Sequence, residues 1–134
     1  MITLKAAKNP SLSVVMTGLP RIKHELSLRL KGRRDPLYQV ADFNFNDAHP
    51  DDVDSDAHVD VYPIGTAIAG KSGFVLLEWS VVIAKVAADV PYQVVLAVMQ
   101  DGASVFAQTY SNTDPDAGTG SVRFELGMEV FNIA

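Results

Sequence analysis

The sequence predicts an all-β fold, an antiparallel β-sandwich of about eight to nine strands in a jelly-roll or immunoglobulin-like arrangement, with a closed barrel as the second choice. Apolar and polar residues alternate with a period of two through several segments. Turn residues such as Asn9-Pro10, Lys31-Gly32 and Asp114-Pro115 separate these segments at short spacing. No stretch has the periodicity of an amphipathic helix, and 134 residues fit a single domain, 1–134.

In the first half of the chain, strands are expected at 2–6, 12–16, 22–31, 37–45 and 59–64. The clearest alternation is in segment 22–31, where apolar residues occupy the even positions and polar residues the odd ones from 27 onward. The apolar positions there are Ile22, Leu26, Leu28 and Leu30. His24 shares their face, which predicts a core or rim histidine with its hydrogen bonds satisfied.

In the second half, segment 74–86 is rich in β-branched residues and is expected to be a long central strand. Its predicted core face is Val75, Leu77, Trp79, Val81 and Ile83. Segments 92–100 and 103–110 are joined by Asp101-Gly102, which favours a two-residue hairpin because both central residues need positive φ. A last strand is expected from 122, and the slip of its apolar phase after Val130 suggests a bulge.

Composition excludes several classes of protein. The chain has no cysteine, so disulfides, thiolate metal sites and a cysteine nucleophile are excluded. Segment 1–16 lacks the charged start and apolar run of a signal peptide and is expected to be part of the domain. The longest apolar stretch, 73–90, is interrupted by charged residues, so the sequence predicts a soluble protein with no membrane span. The cellular compartment stays open.

Charge is divided unevenly along the chain. Residues 1–41 hold eight of the eleven Lys and Arg and two acids, whereas residues 42–134 hold three bases and fourteen acids. The candidate partner-binding residues are Arg21, Lys23, Arg29, Lys31, Arg33 and Arg34. These cations could solvate one sheet face, contact phosphates, or pair with the acidic part of another copy. The aromatic interleaving of single-strand binders is absent, which disfavours nucleic acid as the partner.

The acidic loop Asp-Asp-Val-Asp-Ser-Asp-Ala-His-Val-Asp, residues 51–60, contains the candidate metal ligands. The spacing of Asp52, Asp54 and Asp56 lets alternate side chains point at one hard cation, with Asp60 as a fourth ligand. Asp114 and Asp116 would join them if both loops lie at one end of the sandwich. Calcium is the cofactor that these oxygen ligands indicate, although Ala57 and Pro63 break the EF-hand pattern. The alternative is a solvated acidic turn.

Catalytic motifs are missing from the sequence, which has no G-x-S-x-G elbow, phosphate-binding glycine loop or H-E-x-x-H. We therefore expect no catalytic residues and a non-catalytic interaction or structural module, which self-assembles through the basic N-terminal strand and the acidic loop. One alternative is a calcium-dependent β-sandwich that binds carbohydrate. The other is a small β-sandwich hydrolase whose catalytic residues are scattered along the chain.

Overall fold

The computed structural model describes residues 1–18, 21–42, 53, 58–86, 91–113 and 120–134, with backbone only at 21, 42, 84–86, 120–122 and 125–129. Nine strands form in this part of the chain. They are β1 (Thr3–Leu4), β2 (Ser11–Thr17), β3 (Arg21–Leu30), β4 (Pro36–Asp42), β5 (Val59–Pro63), β6 (Gly73–Val86), β7 (Gln93–Gln100), β8 (Ala103–Ser111) and β9 (Gly120–Ile133). A 3₁₀ turn at Ala6–Lys8 and the four-residue helix α1 (Gly65–Ile68) complete the described elements.

The strands form two sheets, in the orders β1-β9-β6-β3-β4 and β5-β2-β7-β8. We call them the five-stranded and the four-stranded sheet. All pairs are antiparallel except β1 with β9. The two sheets enclose one hydrophobic core and neither closes into a barrel, so the predicted all-β sandwich is confirmed.

Local sequence signals match the structure closely. Asp101 and Gly102 have φ of 51° and 77°, as the predicted hairpin turn between β7 and β8 requires. The predicted bulge in the last strand is present, since Leu77 pairs with Glu129 whereas Trp79 pairs with Leu126. The last strand therefore has one extra residue between positions 126 and 129, slightly earlier than the phase slip indicates.

The core is built from the alternating faces that the sequence predicts. On β6 the five residues from Val75 to Ile83 at odd positions are at most 2% exposed. Trp79, the only tryptophan of the chain, lies 5.4 Å from Tyr110 of the opposite sheet, measured between ring centroids. On β3 the buried face consists of Ile22, His24, Leu26 and Leu28.

Strand direction decides which connections share an end of the sandwich. All odd-numbered strands run toward one end of the sandwich, and all even-numbered strands start from that end. Residues 5–10, 31–35, 64–72 and 101–102 connect strands there. Gln100 donates from Nε2 to the backbone oxygen of Thr3 and accepts at Oε1 from the backbone nitrogen of Lys5, which ties the two sheets together at this end. None of the described helices is long and apolar enough to cross a membrane.

Candidate interaction surfaces

A buried polar cluster joins the two sheets near the middle of the sandwich. His24 of β3 and Tyr62 of β5 share a hydrogen bond of 2.9 Å between Nε2 and the hydroxyl oxygen. The Oδ2 atom of Asp60 lies 4.0 Å from the same nitrogen. All three residues are at most 1% exposed. Buried polar groups are costly unless they are paired, so this cluster fixes β3 opposite β5.

The cluster confirms the expectation that His24 is a core residue with a hydrogen-bond partner. It also shows that Asp60 is buried in the sandwich. Sequence reasoning placed Asp60 among the metal ligands, whereas its carboxylate points into the sandwich from β5. Sequence reasoning missed the pairing itself, although the shared parity of Asp60 and Tyr62 in one short strand is a signal for a common face. A histidine and an aspartate sealed to this degree do not contact a substrate in this conformation.

The basic residues of β3 are compensated locally. Lys23 lies 3.3 Å from Glu25, between Nζ and Oε1. Arg29 donates from Nε and Nη2 to the same oxygen of Glu78 on β6, at 3.2 and 3.0 Å. Both pairs lie on the outer face of the five-stranded sheet, so this face carries mixed charge rather than a basic patch. Arg21 lies at the far end of β3 from residues 31–34.

A second set of cations lies at the end of the sandwich where residues 5–10, 31–35 and 64–72 connect strands. We call this surface the basic end, and its members are Lys5, Lys8, Lys31, Arg33, Arg34 and Lys71. All six are exposed. In the described part of the chain no carboxylate lies within 4.0 Å of any of them. The acids at this end are Asp35 and Asp101.

Local contacts fix part of the basic end. Arg29 donates from Nη1 to the backbone oxygen of Arg33 at 3.1 Å, which holds the turn between β3 and β4. The Lys31 ammonium lies 6.0 Å from the ring centroid of Phe74, whose side chain is 47% exposed. Such a cation over an aromatic face is attracted by the ring quadrupole. The turn therefore presents Arg33 and Arg34 on a fixed backbone.

The strand ends at the opposite end flank segments that are acidic in sequence. Strand ends there flank residues 18–20, 43–58, 87–92 and 112–119, which contain eight acids and no Lys or Arg. We call these segments together the acidic end. The candidate ligands Asp52, Asp54, Asp56, Asp114 and Asp116 lie outside the described residues, and their metal binding stays a prediction. Within the described residues no group of three or more metal-ligating side chains is present.

Distance keeps the two ends electrostatically separate. The ten residues of β3 span roughly 30 Å at about 3.3 Å per residue. Two unit charges at that separation in water interact by about 0.1 kcal/mol before screening. The Debye length at physiological ionic strength is only about 8 Å. Charges at the two ends of β3 are therefore electrostatically independent of one another.

The outer face of the four-stranded sheet has no charged residue among its described members. They are Ser11, Ser13, Val15, Thr17, Val59, Val61, Pro63, Gln93, Val95, Ala97, Met99, Ser104, Ala107, Thr109 and Ser111. Surfaces of small domains are typically about a quarter to a third charged, so this composition is unusual. We call this surface the uncharged face.

The outer face of the five-stranded sheet has one small depression, with a cavity volume of about 30 Å³. It is lined by Lys23, Glu25, Ser80, Val82 and Arg123. Sites for small organic ligands usually measure about 300 to 1,000 Å³, so this depression is an order of magnitude too small for one. This depression is therefore not a substrate site, and the hydrolase alternative stays a prediction.

No protein-family model, curated protein or solved structure matches the chain. The function has to be inferred from the surfaces themselves.

Proposed function

We propose that this protein is a non-catalytic structural module that associates with copies of itself from head to tail through its oppositely charged ends. The observation that carries the proposal is the separation of charge along the sandwich. The connections of the basic end hold six cations and two acids, and those of the acidic end hold eight acids and no Lys or Arg.

The location of these charges determines the symmetry of the contact. A two-fold contact through either end would bring like charges together, which is unfavourable. Opposite charges at opposite ends favour a head-to-tail contact, and such contacts close into a ring or continue as a filament. The predicted patch on β3 is replaced in this proposal, because Lys23 and Arg29 have acidic neighbours within their own molecule.

The proposal predicts association that depends on salt. Light scattering should give a mass above that of one chain at about 0.02 M salt, where the Debye length is about 20 Å. The mass should fall at about 0.5 M salt, where the Debye length is about 4 Å. The same mass at both salt concentrations would contradict the proposal.

Matched charge reversals locate the contact. Arg33→Glu with Arg34→Glu changes the basic end, and Lys23→Glu with Arg123→Glu changes the outer face of the five-stranded sheet. Both double variants lower the formal net charge from −5 to −9. Only the first should lower the mass at low salt to the value that the native protein has at about 0.5 M salt. Equal loss in both variants would indicate general charge repulsion and would count against a contact through the basic end.

A mixing experiment tests the head-to-tail geometry. The basic-end variant has acids at both ends, and a variant with Asp52→Lys and Asp54→Lys weakens the acidic end instead. Each variant alone should associate less than the native protein. Mixed, they should associate more than either variant alone, because the basic end of the second variant still complements the first. A mixture with no higher mass than either variant alone would refute this geometry.

Calcium-dependent binding of carbohydrate is the second candidate function. Its support is topological, because the strand ends that flank residues 43–58 and 112–119 lie at the same end of the sandwich. In this proposal, Asp114 and Asp116 join Asp52, Asp54 and Asp56 as ligands of one calcium ion.

Thermal unfolding in chelator and then in calcium tests this second function. A ligand at a hundredfold excess over its Kd stabilises the folded state by about 2.7 kcal/mol, which shifts the Tm of a domain this size by several degrees. Asp52→Asn with Asp54→Asn should remove the shift, and Asp35→Asn at the other end should keep it. A glycan array with and without calcium then tests for carbohydrate. No shift with calcium would leave residues 51–60 as a solvated turn.

A further inference from the structure

We propose that β8 is a second contact between copies, in which the β8 strands of two molecules pair antiparallel about a two-fold axis at Ala107. This contact goes beyond the proposed head-to-tail association, because it uses backbone hydrogen bonds and uncharged side chains. It would join two four-stranded sheets into one continuous sheet of eight strands.

The first argument comes from the four sheet edges. Natural sheets protect their edges with short strands, proline, charge or a covering segment. The edge strand β1 has two residues, so most of β9 also lies at the edge of its sheet, and β9 contains the charged residues Arg123, Glu125 and Glu129. The edge strand β4 begins at Pro36 and ends at Asp42. The edge strand β5 ends at Pro63, and the carbonyl oxygen of Val61 accepts a hydrogen bond of 3.0 Å from the backbone nitrogen of Val53.

The remaining edge strand, β8, has few of these protections. It is nine residues long and contains neither proline nor a charged residue. In the described part of the chain, β7 is the only strand that pairs with it. Its one irregularity is a bulge near Ser104, where the register with β7 shifts. An edge of this kind is a template for another extended strand.

The occupant that fits best is a second copy of β8. An antiparallel pair keeps both sheet faces continuous only if the two paired residue numbers add to an even number, because side chains alternate with a period of two. An axis at Ala107, the midpoint of β8, meets this condition from Val105 to Thr109, and the bulge near Ser104 ends the regular overlap there. Ala107 then faces Ala107, and Thr109 faces Val105. No like charges meet, because the strand has no charges.

The uncharged face favours the same arrangement. Ala107 lies on this face opposite Ala97 of β7, and it is exposed. Pairing of two β8 strands would continue the uncharged face across both copies without burying an unpaired charge, which is the costly event at an interface. The five-stranded sheet could not extend itself in this way through β4 without placing Asp42 in the new pair.

Single cysteine variants test the contact and its register. The native chain has no cysteine, so one introduced cysteine can form a disulfide only between copies. At the proposed axis the two Ala107 Cβ atoms would lie about 5 Å apart, within reach of a disulfide after small adjustment. The two Ala103 residues, also exposed, would lie eight residues apart, roughly 27 Å. Ala107→Cys should therefore cross-link under mild oxidation, and Ala103→Cys should not.

Mass at about 0.5 M salt separates this contact from the charged ends, because screening removes only the latter. Native protein should remain dimeric there, Ala107→Lys should be monomeric, and Gln93→Lys, on the same face but one strand inward, should remain dimeric. A native monomer at this salt concentration, or equal cross-linking of the two cysteine variants, would overturn the β8 contact. Neither result would affect association at low salt, which tests the proposed function separately.

Discussion

The buried hydrogen bond between His24 and Tyr62 gives the sharpest prediction about stability. Tyr62→Phe removes only the hydroxyl oxygen that lies 2.9 Å from His24 Nε2. Both side chains are at most 1% exposed, so water cannot replace the lost partner without a local opening. A hydrogen bond contributes about 1 kcal/mol net to the free energy of unfolding, and a buried polar group left without a partner costs about 1 to 3 kcal/mol. We expect a loss of about 1 to 3 kcal/mol in the free energy of unfolding.

This loss converts into a measurable change in Tm. The entropy of unfolding is about 2.1 cal/mol/K per residue, or roughly 280 cal/mol/K for 134 residues. The Tm of Tyr62→Phe should therefore fall by roughly 4 to 11 °C. Thermal unfolding can be followed by the fluorescence of Trp79, which is the only tryptophan and is 2% exposed.

A double-mutant cycle with His24→Leu isolates the pair. The double variant lacks both polar partners, so neither of them is left buried without the other. It should therefore be more stable than the sum of the two single losses predicts. The coupling should be about 1 to 2 kcal/mol. Effects of His24→Leu on Asp60 occur in both arms of the cycle and cancel. Strictly additive losses would refute the conclusion that this hydrogen bond fixes β3 opposite β5.

Two further predictions concern the backbone and the surface. Gly18 has φ of +118°, and an added Cβ would lie 2.9 Å from the backbone oxygen of Pro91, so Gly18→Ala should cost roughly 2 to 4 kcal/mol in denaturant unfolding. Gly32 has φ of +82°, but an added Cβ there would meet no atom within 4 Å, so Gly32→Ala should cost only about 1 to 2 kcal/mol. Equal losses in the two variants would argue against the steric contact at Gly18. Arg29→Met removes the bonds to Glu78 and the exposed bond to the backbone oxygen of Arg33. The side chains of Arg29 and Glu78 are 27% and 45% exposed, so the loss should stay below about 1 kcal/mol and shrink at high salt. A larger loss that salt does not change would instead point to packing of the arginine stem.

The sequence by itself predicts the elements of the fold. Alternation with a period of two is a local property, so the buried face of β6 and most of that of β3 could be assigned residue by residue. The turn at Asp101-Gly102 could be assigned because positive φ at two successive residues selects very few amino acids. The bulge in β9 was visible as a change of phase, although its position was off by a few residues.

Only the tertiary structure determines which of these elements meet. Lys5, Lys8 and Lys71 join Arg33 and Arg34 because strand directions bring distant connections to one end of the sandwich. The same directions bring the strand ends that flank the acidic segments to the other end.

The pairing of His24 with Tyr62, and the absence of charge from one whole sheet face, depend in the same way on sheet order. A period of two assigns each side chain to one face of its strand, but it carries no information about which strands are neighbours. The sequence therefore determined the strands and their inward faces, whereas the charged ends, the buried polar cluster and the open edge of β8 follow from how those strands are ordered in space.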